Sequence, residues 1–263
     1  MRIFVFVLFF GILLAKPSQD IEKISKEAKE IYKIESFNLK NKYGKIYHIS
    51  IATPKNSTKE IFYTLDGNAF FPKFVNQIAK STQEIRPIIV GIGHNSPLAF
   101  DRELRAFDYL PKIEGFSGGG GNEIFLDFIL TKLKPFIYEK FGIPEKELLF
   151  GHSFGGIFVL YTILKSQNSF SHYVCASPSL WLGGGESIKK DLEKMQNHKS
   201  LNILFTLGSL EKKHTKPQKI TLSEVIASFK MDSIKYVEFP NQTHGSSIIF
   251  AFMESLKWFY EVD

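Results

Sequence analysis

The stretch Leu148-Leu149-Phe150-Gly151-His152-Ser153-Phe154-Gly155-Gly156-Ile157-Phe158-Val159-Leu160-Tyr161 decides how the rest of the chain is read. An apolar triplet runs into a Gly-x-Ser-x-Gly turn, and an apolar helical run follows without a breaker. A strand that bends sharply into a helix needs this order, and it leaves the serine raised at the turn. The bend forces Ser153 into strained backbone angles. Glycines on either side keep Cβ atoms out of the close approach, so side chains at Gly151 and Gly155 are both expected to clash. The helix beginning after Ser153 aims its first amides and its partial positive charge at any anion forming beside the hydroxyl. These residues read as a nucleophile on a strand–helix bend.

Outward from this bend, short apolar runs recur at 61–65, 88–92, 173–176, 201–207 and 236–239. Helical stretches separate them, through 74–78, from 122 to 141, and finally from 247 to 260. Strands alternating with helices predict the α/β class, with a mostly parallel sheet covered by helices on both faces. Segments 35–39 and 45–52 alternate around Asn41 and Gly44 and predict an antiparallel hairpin. The charge pattern of 18–34 predicts an N-terminal helix. The gaps between elements are too short for a large lid, so an open cleft is expected.

With 263 residues, 44% hydrophobic and 23% charged, the chain has enough apolar residues for a sizeable core, which excludes a disordered or repetitive protein. The net charge of +6 is scattered, which excludes a nucleic-acid binder and leans toward acidic partners. One cysteine, Cys175, excludes a disulfide framework and a four-cysteine zinc site; its neighbours Tyr173, Val174 and Ala176 read as a core strand. The opening MRIFVFVLFFGILLA combines Arg2, a twelve-residue apolar run and Ala15. That is the pattern of a secretory signal peptide, since spanning a bilayer takes roughly twenty apolar residues. An uncleaved anchor is the alternative. Residues 1–15 are therefore set apart as a leader, and 16–263 form one exported domain.

A serine hydroxyl is a weak nucleophile at neutral pH and needs a base. His244, in Asn241-Gln242-Thr243-His244-Gly245, follows the last predicted strand and precedes the last helix, where the base of this architecture arrives. His152 is expected to point away from the site, and His48, His94, His172, His198 and His214 read as structural or solvated. Glu211 is the first carboxylate beyond the 201–207 run and is the candidate to orient His244, with Glu224, Asp232 or a Ser-His dyad as alternatives. The oxyanion needs two amides. Phe154 supplies one, and Gly67, in Leu65-Asp66-Gly67-Asn68 directly after a strand, supplies the other, with Asp66 holding the loop. Gly91-Ile92-Gly93 lacks the third glycine of a dinucleotide fingerprint, and Gly118 to Gly121 is not followed by the Lys-Ser of a phosphate loop. No cofactor and no metal-ligand spacing is read.

Several stretches resemble one family. Tyr63-Thr64-Leu65-Asp66-Gly67-Asn68 is similar to the oxyanion-loop motif of the "putative esterase" group of α/β-hydrolases. Gly119-Gly120 with Phe125-Leu126-Asp127-Phe128-Ile129, Ser177-Pro178-Ser179-Leu180-Trp181, Gly151 to Gly156 and Thr243-His244-Gly245 resemble the same group over roughly residues 35–260. The likeness is greatest to its periplasmic trilactone esterases, which act on catecholate siderophores of the enterobactin and salmochelin type. It implies an α/β-hydrolase fold, Ser153 as nucleophile and His244 as base, with Gly67 and Phe154 forming the oxyanion hole. It also implies a siderophore as the small-molecule partner, with iron present only as part of the substrate, and a periplasmic location. Arg102 and Arg105 are the candidates for a substrate arginine on the loop after the second parallel strand, with Trp181 and Asn68 at the rim. A general carboxylesterase or acyltransferase and a non-catalytic siderophore-binding protein are the competing readings.

Overall fold

The computed structural model describes residues 18–261 apart from 57, 83–85, 183, 195–200, 212–219 and 230–233. The leader, His198, His214 and Asp232 lie outside the described residues. In chain order the strands are β1 (Tyr32–Lys40), β2 (Ile46–Pro54), β3 (Glu60–Leu65), β4 (Ile88–His94), β5 (Lys146–His152), β6 (His172–Ala176), β7 (Asn202–Gly208) and β8 (Ile234–Phe239). The helices are α1 (Lys26–Ile31), α2 (Gly67–Lys80), α3 (Arg102–Tyr109), α4 (Asn122–Phe128), α5 (Lys134–Phe141), α6 (Phe154–Ser166), α7 (Gly184–Lys194), α8 (Leu222–Ser228) and α9 (Ser247–Glu261). A π-helical turn, Ile129–Leu133, joins α4 to α5, so the long helix expected there is continuous.

The sheet order is β1-β2-β4-β3-β5-β6-β7-β8. β1 and β2 form the expected hairpin, β2 meets β4 antiparallel, and every pairing from β4 onward is parallel. Both faces of the parallel half are covered, which is why its strands read as unbroken apolar runs. Alternate residues of one strand serve opposite cores: Tyr63 and Leu65 of β3 enter one, Phe62 the other. In β6, Tyr173 and Cys175 divide in the same way from Val174 and Ala176. Cys175 is a core residue, and burial pushes its thiol well above the usual range. The second core is built on aromatic contacts, with Phe74 stacked on Phe252 at 3.9 Å and edge-on to Phe150.

Two local expectations are corrected. The N-terminal helix is only six residues long, capped by the Ser25 side chain, and the chain passes directly into β1. Residues before it are docked on α2 instead, where Asn76 accepts from Ser25 N and donates to Lys23 O and Glu22. Tertiary contacts thus replace the helical bonds that the charge pattern alone predicts. The segment carrying Arg102 and Arg105 is a helix rather than a loop, started by Asp101, whose carboxylate accepts from Leu104 N. The parallel strands place their C-terminal ends, and the segments that follow them, along one edge of the sheet. An open α/β sheet holds its ligands at that edge.

Candidate active site

Ser153 stands between β5 and α6 with φ +61° and ψ −116°, a conformation that L-residues rarely adopt. The neighbouring strand holds it there: Ser153 N donates to Ala176 O, and Ser179 N donates to Ser153 O. Gly151 is obligatory, because a Cβ on it would lie 2.2 Å from Gly155 O. Gly155 is not, which corrects the sequence expectation: a Cβ there would meet Leu65 at 3.4 Å, an ordinary contact. The Ser153 hydroxyl lies 2.9 Å from Ser179 Oγ, which is its hydrogen-bond partner in this state, rather than His244.

Glu211, the carboxylate expected to orient His244, is only 8% exposed. Its Oε1 accepts from Gly208 N at 2.7 Å and from Ser177 Oγ at 2.8 Å, while Oε2 faces His244 Nδ1 at 2.7 Å. A carboxylate only accepts, so His244 Nδ1 carries the proton and Nε2 keeps its lone pair. The two residues meet because the loops after β7 and β8 interlock: Ser209 N donates to Phe239 O and Leu210 N to Gln242 O. Gly208 permits that approach, since a Cβ on it would lie 2.4 Å from Gln242 O. The alternative acid Glu224 is instead part of a capping box with Thr221 at the start of α8.

His152 corrects a further expectation. Its ring does not turn away from the site; it packs on the His244 ring with centroids 4.5 Å apart, and its Nε2 donates to His244 O at 2.9 Å. The residue adjoining the serine in sequence therefore anchors the candidate base. Burial pushes the His152 pKa well below the usual imidazole range, and the neighbouring His244 and Arg105 lower it further. It is a neutral donor. The only sequence signal for this role was its adjacency to Ser153.

Gly67 and Phe154 are the first residues of α2 and α6, so their backbone N–H groups have no acceptor within the helix. Gly67 is forced by packing, since a Cβ on it would lie 2.6 Å from Gly91 C of β4. Asp66 precedes it in the left-handed region, at φ +54°, with its amide donating to Tyr109 Oη at 2.9 Å. Its carboxylate receives a forked contact from Arg105, Nε at 2.5 Å and one terminal nitrogen at 2.9 Å. Asn68, expected to face substrate, donates instead to the carbonyls of His94, Ser96 and Leu98 and so holds the loop after β4. Arg102 is exposed at the start of α3, and Trp181 is 46% exposed just beyond Ser179. With the His244 side chain also 48% exposed, the site is an open shelf. A groove of about 450 Å³ beside it is lined by Gly67, Asn68 and His94 but does not include Ser153 or His244. No helix among the described residues is long and apolar enough to cross a membrane.

Known esterases share sequence and fold with this chain. The family described as "Putative esterase" matches residues 41–244. An apo-salmochelin esterase of Escherichia coli O6:H1 is 30% identical over 234 residues, covering 80% of this chain and 73% of that protein. A ferri-bacillibactin esterase of Bacillus subtilis is 29% identical over 197 residues, covering 65% of this chain and 68% of its own length. The solved structure titled "Enterobactin and Salmochelin Hydrolase IroE" superposes with a TM-score of 0.69 at 26% identity, covering 88% of this chain and 98% of that one.

Proposed function

From the premise that the chain belongs to the putative-esterase family, as an ester hydrolase of α/β-hydrolase fold, we propose that it is an exported serine esterase. Its substrates in this reading are catecholate trilactone siderophores of the enterobactin type. The observation that carries the reading is the 2.7 Å contact of His244 Nδ1 with buried Glu211, on a histidine tied through His152 to the Ser153 bend. Relatives whose names specify salmochelin, bacillibactin and enterobactin support the substrate class.

The serine hydroxyl first leaves Ser179 and turns to His244 Nε2, which takes its proton as Oγ attacks a lactone carbonyl carbon. The C=O pair moves onto oxygen, and the amides of Gly67 and Phe154 donate to that oxyanion. Glu211 holds the imidazolium through Nδ1–H. Collapse re-forms the carbonyl and expels the ring alkoxide, which takes the proton from His244 Nε2. Water, deprotonated by His244 in turn, attacks the seryl ester; the acid is released and Oγ recovers its proton. A ferric triscatecholate is a bulky anion, with the iron belonging to the substrate. An open shelf with exposed Arg102 and Trp181 nearby suits it by charge and ring contact. Residues 1–15 would direct the chain to the periplasm and be removed after Ala15.

The test is incubation with apo- and ferric enterobactin, with chromatography and mass spectrometry of the linear products. Wild-type protein is expected to release linear trimer and shorter fragments faster, relative to kcat/KM, than it cleaves short p-nitrophenyl esters; Ser153→Ala should fold and release nothing. A strong preference for the simple esters would replace the siderophore by a general ester substrate. Tight binding with no product would make the chain a carrier.

A further inference from the structure

We propose that Ser179 is a positioning residue that acts as a catch on the nucleophile: it holds the Ser153 hydroxyl off His244 in the free protein, and releasing that hold slows the attack on an ester. The inference rests on the reading of Ser153 as nucleophile and deepens it.

The catch is one hydrogen bond that nothing can replace. Ser153 Oγ lies 2.9 Å from Ser179 Oγ, and among the described residues it is the only partner of that hydroxyl. Ser179 is 3% exposed, so water cannot take over when Oγ swings away. Nor can Ser179 follow. Its backbone N–H donates to Ser153 O at 3.2 Å. Pro178 before it is pressed against α6, where a Cβ on Gly156 would lie 3.1 Å from Pro178 Cα and Cβ. Ser177 is pinned harder still. It sits in the left-handed region at φ +42°, its N–H donates to Thr206 O at 2.8 Å, and its hydroxyl donates to Glu211 Oε1 at 2.8 Å. The turn after β6 therefore touches both ends of the candidate triad. Ser177 holds the carboxylate, and Ser179 holds the hydroxyl.

The two contacts have opposite consequences. Glu211 stays an ionised acceptor throughout the reaction, so the Ser177 bond is never broken. The Ser179 bond exists only before attack. An interaction made in the ground state and missing from the transition state raises the barrier. Losing one neutral hydrogen bond at a buried site is worth about tenfold in rate, or ~1.4 kcal/mol at 1.36 kcal/mol per decade. Ser179 does not offset this by serving the oxyanion. It follows β6, whereas Gly67 follows β3, and those strands flank β5 on opposite sides. The Ser179 hydroxyl thus stands across the Ser153 bend from the Gly67 amide.

The sign of the change separates a catch from a merely structural contact. Wild type, Ser179→Ala and Ser179→Cys are compared for kcat/KM on p-nitrophenyl butyrate and for the rate of Ser153 labelling by a fluorophosphonate. Melting curves report folding, and high-resolution crystal structures of wild type and Ser179→Ala report where Ser153 Oγ rests. A catch predicts that Ser179→Ala raises both rates about tenfold, by one factor, because both reactions start from the same held hydroxyl. Ser179→Cys, with a weaker hydrogen-bonding group, raises them less. In the crystals Oγ should rest on Ser179 in wild type and turn to His244 Nε2 in Ser179→Ala. Rates in Ser179→Ala that fall, or that stay within about twofold of wild type, would overturn the inference. So would a wild-type crystal with Oγ already on His244. If Ser179→Ala melts below assay temperature, Ser179→Cys is read by the sign of the same change. Wild-type protein that hydrolyses no ester and takes no label would instead defeat the nucleophile reading, and the crystal structures would still report whether the catch is made.

Discussion

Replacing Glu211 by glutamine changes one atom at the centre of the site and leaves the volume unchanged. In the native arrangement Oε1 is fixed by Gly208 N and Ser177 Oγ, which can only be satisfied by an acceptor oxygen or, for the hydroxyl, by rotation. The glutamine oxygen must therefore stay on that side, so its NH₂ points at His244 Nδ1, 2.7 Å away in the parent. An NH₂ facing Nδ1 demands a lone pair there, which moves the imidazole proton to Nε2 and removes the base from Ser153. Where a triad has been trapped in the wrong tautomer the loss is about 10⁴-fold in kcat, or about 5.5 kcal/mol of barrier at 1.36 kcal/mol per decade. Glu211→Ala should do less harm. With its side chain 48% exposed, His244 can take water at Nδ1 and keep its working tautomer part of the time. Expected losses are about 10⁴-fold for glutamine and about 10²–10³-fold for alanine, an order opposite to that of steric conservatism. The assay is steady-state hydrolysis of a p-nitrophenyl ester, with active serines counted by fluorophosphonate labelling and folding checked by circular dichroism. A folded Glu211→Gln protein retaining more than about a tenth of wild-type kcat would refute the reasoning and leave a Ser-His dyad.

Gly151→Ala should fail to fold, because its Cβ would lie 2.2 Å from a backbone oxygen and 2.9 Å from Val159, whereas Gly155→Ala should melt within a few degrees of wild type; equal melting temperatures for both would contradict the packing described for the bend. Acid should weaken the fold through His152, whose depressed pKa means that the unfolded chain binds its proton first. Stability is then full above the unfolded value of about 6.5 and falls as the pH drops below it toward the folded value. Urea midpoints at pH 7 and pH 5 should therefore differ less in His152→Gln than in wild type, and an unchanged difference would remove His152 from the acid response.

The parts of this site that follow from local rules were legible in the sequence. The bend at Ser153 needs a strand, a glycine and a helix in succession, all within fourteen residues. His244 and Glu211 were identified by their positions after strands, an order set by a parallel sheet rather than by anything in the neighbouring residues. What escaped depends on partners far away in the chain. The sequence shows Arg105 and Asn68 only as polar residues near strand ends; the acceptors that fix them in this structure are 39 and 26–30 residues distant. α3 escaped for a related reason. Its buried positions are Ala106, Asp108 and Tyr109, and a carboxylate between two core residues breaks up the short apolar face that an eight-residue helix could show. His152 differs from its expected outward orientation because the strand ends at that residue and the chain bends there, so that its ring reaches the His244 loop. The N-terminal segment shows the converse, a helical charge pattern most of which is taken up by docking against Asn76.

The order of these groups along the polypeptide has a consequence for biosynthesis. Ser153 precedes His244 by 91 residues, and the imidazole follows the last strand. At translation rates of about 5–20 residues per second, a growing chain exposes its hydroxyl some 5–18 s before its proton acceptor leaves the ribosome. β3, which brings in the oxyanion turn, is held between strands made later, β4 and β5. If the proposed roles of Ser153 and His244 hold, a half-made chain is chemically inert, and hydrolytic competence switches on only with the docking of the final strand and its loop.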